Sequence, residues 1–151
     1  MAIHPRKIFR SNVADEDERI AIGIDLPLIK PNGAPFPQTR LTIEAAAANL
    51  KNLILTRKGE RPMHPTFGTS IYDSLFDQNV ESLHAQIEQE ISEATAFWLP
   101  YISIENLIVD TADKRYGFDD RFNGVRVAID FTLAGNSFQE NSIVVIIGGV
   151  E

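Results

Sequence analysis

Two stretches of the chain repeat apolar residues at the three- and four-residue spacing of an amphipathic helix. The first covers residues 42–56, where Thr42 is a plausible N-cap and a run of alanines gives high helix propensity. The second can be capped by Asn79 and is ended by Pro100. Its apolar stripe consists of Val80, Leu83, Ile87, Ile91, Ala94 and Trp98. The pattern predicts two long helices, with a short one over residues 70–76 between them.

The last third of the chain alternates apolar and polar residues, which is typical of β-strands. The alternation predicts three strands, two of them over residues 125–134 and 138–147. In the first strand the alternation changes phase at Glu105-Asn106, which indicates either a bulge or a strand that is covered on both faces. A polar loop over residues 113–124 separates the first two strands. Because helices come first and strands follow, the predicted fold class is α+β, with two main helices and a short one packed on a small antiparallel β-meander.

Residues 1–40 differ from the rest of the chain and are predicted to form an extended N-terminal arm. From Ile20 onward apolar residues alternate, which predicts a strand, and Pro27 restricts the end of that strand to a sheet edge. Residues 31–37 are too rich in proline and glycine for a helix or a central strand. We therefore divide the chain into this arm and a domain over residues 41–151, and we expect the arm to pack on another surface, in this chain or in another.

The composition limits the classes of function. A chain of 151 residues can form one domain with a buried core. A net charge of −7 argues against nucleic-acid binding, since phosphate contacts need clustered Lys and Arg. The absence of cysteine excludes disulfides and thiolate zinc sites and fits a reducing compartment. No apolar run approaches the roughly 20 residues of a membrane-spanning helix, and the N-terminus has no apolar signal segment.

Few residues are arranged for catalysis or cofactor binding. The histidines His4, His64 and His84 lack the spacing of metal ligands, and no phosphate-binding glycine loop is present, so we expect no metal, cofactor or small-molecule substrate. Glu60, Asp73 and Asp77 could approach one another as the acid pair of a glycosidase. The alternative is that the two aspartates lie near helix ends and Glu60 pairs with a nearby arginine. We favour this alternative, because 21 acidic residues offer many such pairs.

The segment after the first long helix is the most unusual part of the chain. Charged residues cluster there around Gly59, and prolines fix the path that follows. A rigid loop that presents guanidinium groups and carboxylates suits a protein interface. The same arginines could instead tie the loop to the domain's own helix ends, and the two interpretations are compatible. The predicted partner-binding residues of this segment are Arg57, Gly59, Glu60, Arg61, Pro62 and Phe67.

The same segment carries a resemblance to a known family. Residues 49–63 read N-L-K-N-L-I-L-T-R-K-G-E-R-P-M, followed by P-T-F-G at residues 65–68 and L-F at residues 75–76. This combination resembles the gene-25-like (phage W-like) baseplate wedge family of contractile phage tails, which is related to type VI secretion baseplate subunits. The resemblance covers roughly residues 40–150. Helix, loop, helix and terminal sheet follow in the order of that family.

One departure from the family pattern concerns the end of the second long helix. Many members carry Glu-Pro-Arg there, whereas this chain has Leu99-Pro100-Tyr101. We therefore expect an apolar or aromatic contact at Pro100 and Tyr101, and the departure favours a phage tail over a secretion system.

The resemblance implies a structural component of the inner baseplate wedge, without enzymatic activity. Such a component binds other wedge proteins and the tail sheath protein, and it templates the sheath by strand pairing. The terminal strand is rich in β-branched residues, so we expect a partner to cover it at Val144 and Ile146. Assembly would take place in the host bacterial cytoplasm. The alternatives are a tail-associated lysozyme and a type VI secretion baseplate subunit.

Overall fold

The computed structural model describes residues 19–28, 36–74, 80–111, 123–134 and 136–149. Its elements, in chain order, are β1 (Gly23–Ile24), β2 (Gln38–Thr39), α1 (Thr42–Leu55), α2 (Ile71–Ser74), α3 (Val80–Trp98), β3 (Ile102–Thr111), β4 (Asn123–Leu133) and β5 (Asn136–Gly149). The three long strands form one antiparallel sheet in the order β3-β4-β5. The structure confirms the predicted α+β class, in which helices precede a β-meander.

The three-stranded sheet has two different faces because side chains alternate along each strand. On β4, Val127, Ile129 and Phe131 are fully buried and form the centre of the core face. The pairing of β3 with β4 shifts register between Ile104 and Asn106, which confirms the predicted bulge.

Both long helices cover this core face of the sheet. α1 packs on β5, and α3 packs on β3. Leu50, Leu53 and Ile54 of α1 are completely buried, as are Ile87 and Ile91 of α3. The apolar stripes predicted from the helical spacing are therefore the helix faces that build the core.

The N-terminal cap of α1 differs from the prediction. Leu41, in an extended conformation, occupies the N-cap position, and Thr42 is already the first helical residue. Glu44 accepts a hydrogen bond from the backbone N–H of Arg40 at 3.4 Å. The prediction of Thr42 as the cap is wrong, because a carboxylate of the first turn bonds to the backbone that precedes the helix and no hydroxyl is needed there.

The ends of the other two helices agree with the sequence pattern where the structure describes them. α3 ends at Trp98, two residues before Pro100. α2 lies inside the predicted range of residues 70–76. Some of the predicted features lie outside the described residues, namely Leu75-Phe76, Asp77, Asn79 and residues 113–122 of the polar loop.

The described part of the arm packs on α1. β1 pairs with β2 in antiparallel fashion, and Lys51 of α1 donates a hydrogen bond to the carbonyl oxygen of Leu26 at 3.1 Å. A Cβ atom on Gly23 would lie only 3.3 Å from the Cβ of Ala45, so the arm approaches the helix closely where glycine allows it. The strand predicted from Ile20 onward is confined to two residues, and the backbone bends at Leu26 and Pro27.

Two further expectations concern membranes and metals. Within the described ranges, no helix combines the length and the apolar character needed to cross a membrane. The same part of the chain contains no group of three or more His, Asp or Glu side chains placed to hold a metal ion.

Candidate protein-interaction surface

The loop between α1 and α2, residues 56–70 and here called the charged loop, is closed by backbone hydrogen bonds. Lys58 donates its N–H to the carbonyl oxygen of Thr69 at 3.1 Å, and Thr69 donates to that of Thr56 at 2.8 Å. Gly59 donates to the carbonyl oxygen of Pro65 at 2.8 Å, which closes the tip. Because the two legs of the loop bond to each other, its outer side chains project from a fixed frame.

Two glycines of the charged loop have positive φ, and they differ in how much space surrounds them. At Gly68, with φ of 108°, a Cβ atom would lie 2.2 Å from the carbonyl oxygen of Thr56. At Gly59, with φ of 92°, no atom lies within 4 Å of that position. Gly68 is therefore required by both conformation and space, whereas Gly59 is favoured by conformation alone.

The charged loop is anchored to both long helices. The buried hydroxyl of Thr69 donates to the carbonyl oxygen of Ile54 in α1 at 2.9 Å. The buried ring of Phe67 packs edge-on against Trp98 of α3, with ring centroids 5.2 Å apart. The predicted site residue Phe67 thus anchors the charged loop to the end of α3.

Arg57 and Glu60 are engaged within the chain. The guanidinium of Arg57 pairs with Asp73 of α2, and its backbone N–H donates to a carboxylate oxygen of Glu60 at 3.3 Å. The structure therefore supports the interpretation in which an arginine ties the loop to a helix of its own domain. Glu60 and Asp73 therefore contact different parts of the same residue, the backbone N–H and the guanidinium of Arg57. Both partners of the Arg57–Asp73 pair are about half exposed, so the pair contributes little to stability.

Glu90 of α3 connects the charged loop to that helix. Its carboxylate accepts hydrogen bonds from the ammonium group of Lys58 at 2.9 Å and from the backbone N–H of Ser70 at 2.6 Å. Burial acts to raise the pKa of Glu90, but the donors from Lys58 and Ser70 outweigh it and hold this pKa below its ordinary value of 4.5. One carboxylate therefore fastens both ends of the loop.

Arg61 lies over an aromatic ring, and no carboxylate among the described residues pairs with it. The guanidinium carbon is 4.3 Å from the centroid of the Phe67 ring, within cation–π range. Pro62 and Met63 follow it on the exposed rim of the loop. The predicted residues Arg61, Pro62 and Phe67 therefore come together beside the end of α3.

Pro100 and Tyr101 continue the chain beyond α3. Pro100 is exposed, and Tyr101 is 39% exposed. The Tyr101 hydroxyl accepts a hydrogen bond from the side-chain amide of Asn49 at 3.0 Å. This fixes the ring on the surface near the last turn of α3.

Val144 and Ile146 form a separate surface. Both lie on β5, on the sheet face opposite the helices, and they are 49% and 46% exposed. Register aligns Val144 with Ala128 of β4 and then with Ile108 of β3, which is 46% exposed. The predicted site residues are thus divided between the charged loop with the end of α3 and the outer face of the sheet.

Comparison with protein families identifies the chain. The family model described as baseplate wedge protein gp25 matches residues 43–137, more than half of the sequence. The chain belongs to this gp25 family. The match includes the charged loop, α1 from its second residue onward, α2, α3, β3 and β4, and it ends within the first residues of β5. Membership gives the chain a structural role in a baseplate, among other baseplate proteins.

Solved structures with TM-scores of 0.59 share the fold of this gp25 family member. A candidate tail lysozyme from Geobacter sulfurreducens matches with a TM-score of 0.59 and 23% identity, covering 72% of this chain and 92% of that one. The baseplate of the anti-feeding prophage (AFP) matches with a TM-score of 0.59 and 23% identity, covering 76% and 86%. The baseplate complex from the type VI secretion system matches with a TM-score of 0.49 and 13% identity, covering 71% and 94%. A comparison with curated proteins gives no significant match.

Three residues at or beside the charged loop and the end of α3 were not predicted from the sequence, namely Met63, Glu90 and Phe97. Glu90 gave no signal, because its partners lie 20 and 32 positions away. Met63, with φ of 73°, is 92% exposed. Phe97 is 74% exposed beside Trp98, and its position off the apolar stripe of α3 is a signal that could have identified it.

Proposed function

We propose that the chain joins wedge core proteins to the tail sheath in the inner baseplate of a contractile phage tail. In this proposal β5 templates the first sheath ring by strand pairing, and the charged loop with the end of α3 binds wedge proteins. Residues 1–40 serve as an arm on the baseplate domain of residues 41–151. Assembly takes place in the host cytoplasm, and the partners are proteins only.

The observation that carries this proposal is the free edge of β5. The strand spans Asn136–Gly149 and pairs with β4 along one side, and no described strand pairs with its other side. A free edge presents backbone N–H and C=O groups that an incoming strand can pair with.

The two edges of the sheet are not equivalent. β3 is interrupted by the bulge near Asn106 and carries exposed Glu105, which are features that protect an edge from pairing. Residues 142–149 of β5 carry no charge, and the pairing of β5 with β4 is regular from Asn141 to Gly149. β5 is therefore the edge better suited to accept a strand.

The distribution of surfaces supports a joining role. The charged loop is fastened to α1 and α3, on the core side of the sheet, whereas Val144 and Ile146 face the opposite side. A protein that connects two partners needs two such surfaces that do not overlap.

A substitution pair tests the sheath contact in cells that assemble tails. Val144→Lys adds a charge to the β5 edge, and Ile108→Lys adds the same charge to an equally exposed position in the same cross-strand row. We expect Val144→Lys to lower the recovery of sheath protein with the tagged chain by about tenfold, since an interface lysine must be desolvated. Recovery of wedge proteins should not change.

The control variant Ile108→Lys should retain both partners. Equal loss with the two variants, or no loss with either, would overturn strand pairing at β5. Recovery of the tagged wild-type chain without any baseplate protein would overturn the joining role itself.

We also propose that the chain has no lysozyme activity. The carboxylates that could form an acid pair are otherwise engaged: Glu60 and Asp73 both contact Arg57. The pKa of Glu90 is lowered, whereas a general acid needs a raised pKa. A muramidase assay tests this point, and activity that Glu60→Gln abolishes would establish the alternative.

A further inference from the structure

Five aromatic or cationic side chains form a continuous series of contacts at the end of α3. Phe97 packs edge-on against Trp98 at 5.0 Å between ring centroids, and Trp98 packs edge-on against Phe67 at 5.2 Å. The guanidinium of Arg61 lies over the ring of Phe67. His64 also meets Trp98 edge-on, at 6.1 Å. These contacts fix the positions of side chains from two separate elements.

Two large apolar side chains are exposed to solvent, Phe97 in this series and Met63 in the charged loop between Arg61 and His64. Phe97 is 74% exposed, and Met63 is 92% exposed. Met63 has a positive φ of 73°, which is uncommon for a residue other than glycine. The carbonyl oxygen of Arg61 accepts the N–H of His64 at 3.2 Å, so the turn that presents Met63 is hydrogen-bonded. Unfavourable backbone conformations of this kind cluster at functional sites.

Arg61 differs from Arg57 and Lys58 in its partners. Arg57 pairs with Asp73, and Lys58 pairs with Glu90. Within the described part of the chain, no carboxylate pairs with Arg61. Stacking on Phe67 occupies the face of the guanidinium and leaves the N–H groups in its plane available to donate. Two parallel N–H groups match a carboxylate.

We propose that Arg61, Met63, Phe97 and Trp98 form a docking surface for a partner segment in which a carboxylate is flanked by apolar side chains. Arg61 binds the carboxylate, and Met63 and Phe97 contact the apolar side chains. The positive charge of Arg61 calls for a carboxylate in the partner segment, and the exposed side chains of Met63 and Phe97 call for apolar side chains beside it. The inference rests on the proposed joining function and adds the chemistry of the partner.

Photo-crosslinking in cells that assemble tails tests the surface. A photoreactive phenylalanine analogue replaces Phe97, and the control places it at Ser92, an exposed position on the same helix. We expect crosslinks from position 97 to a partner segment with Asp or Glu within a few residues of the crosslinked site. Position 92 should give at least about tenfold less of this product. No crosslink from position 97, or crosslinks to segments without a carboxylate, would overturn the proposal.

Charge exchange then tests the role of Arg61. Arg61→Glu should lower recovery of the crosslinked partner by about tenfold or more, and replacing the partner's carboxylate by Arg should restore it. Arg61→Lys should lose less, since it keeps the charge. Failure of the exchange to restore recovery would refute carboxylate binding.

Thermal melting of each purified variant separates these effects from misfolding. If Arg61→Glu does not fold, Phe97→Ser serves as the second variant, since Phe97 is exposed. The proposal then requires that Phe97→Ser reduces recovery of the partner. If the wild-type chain recovers no baseplate protein, the joining function fails. If it recovers them while position 97 gives no crosslink, only this docking surface fails.

Discussion

Glu90 is the position where one substitution should loosen the charged loop without disturbing the core. Its side chain is only 14% exposed, and its carboxylate bonds to Lys58 and Ser70 at opposite ends of the loop. A hydrogen bond to a charged group contributes about 1.5–3 kcal/mol. Glu90→Gln keeps an acceptor for the N–H of Ser70 but removes the charge opposite Lys58. Because Lys58 is 45% exposed, solvent screening reduces that loss.

We expect Glu90→Gln to lower the free energy of unfolding by about 1–2 kcal/mol, which corresponds to a Tm lower by about 2–8 °C for a domain of this size. Hydrogen exchange should show faster exchange in residues 56–70 and unchanged protection in β4. Glu88→Gln is the matched control, since Glu88 lies one half-turn away on α3 and is exposed. Equal effects of the two variants would refute the assignment of Glu90 as the connection between loop and helix.

The pH dependence of this effect has a defined sign. The pKa of Glu90 lies below its ordinary value in the folded chain, so the carboxylate stabilises the fold above pH 4.5. That contribution is lost as the pH falls through the lowered pKa of the folded state. The Tm difference between wild type and Glu90→Gln should therefore be present at pH 7 and shrink as the pH is lowered below 4.5. A difference that grows on acidification would contradict the sign.

Two further substitution pairs test the loop and the core. Gly68→Ala should lower the free energy of unfolding by about 3 kcal/mol or more, because the new Cβ would collide with the carbonyl oxygen of Thr56. Gly59→Ala, in open space, should lower it by about 1 kcal/mol. Denaturant titration distinguishes the two variants, and similar losses would argue against the loop geometry. Leu53→Asp should abolish the cooperative melt by burying an unpaired charge, while Leu55→Asp, at a position 41% exposed on the same helix, should retain it.

The sequence was informative where a local spacing determines the structure. The helical stripe of α3 and the alternation along β4 each depend on neighbours a few residues apart, and both predicted the buried faces. The arm shows the limit of such patterns. Ile24 and Ile22 alternate as a strand would, yet pairing extends over two residues, because strand length also depends on a partner and β2 itself has only two residues.

Contacts between distant parts of the chain left no signal in the pattern. The sequence of the first turn of α1 predicted Thr42 as the N-cap. In the structure, the hydrogen bond at this helix end instead runs from the backbone N–H of Arg40 to the carboxylate of Glu44. Glu90 lies off the apolar stripe of α3, and the sequence pattern assigns it no partner. Its role depends on a loop that folds back over α3, and no spacing along the chain encodes that.

Phe97 illustrates a signal that lies between these cases. Successive residues of a helix are about 100° apart, so Trp98 on the core stripe directs Phe97 away from the core. Apart from its edge-on contact with Trp98, Phe97 stays 74% exposed and buries little apolar area in the fold of its own chain, which favours a contact with another chain. At the same helix end this chain has Leu99-Pro100-Tyr101 where the family resemblance expects a charged Glu-Pro-Arg. In the docking surface proposed above, the guanidinium of Arg61, which lies over Phe67 and has no carboxylate partner among the described residues, supplies a cation at this helix end.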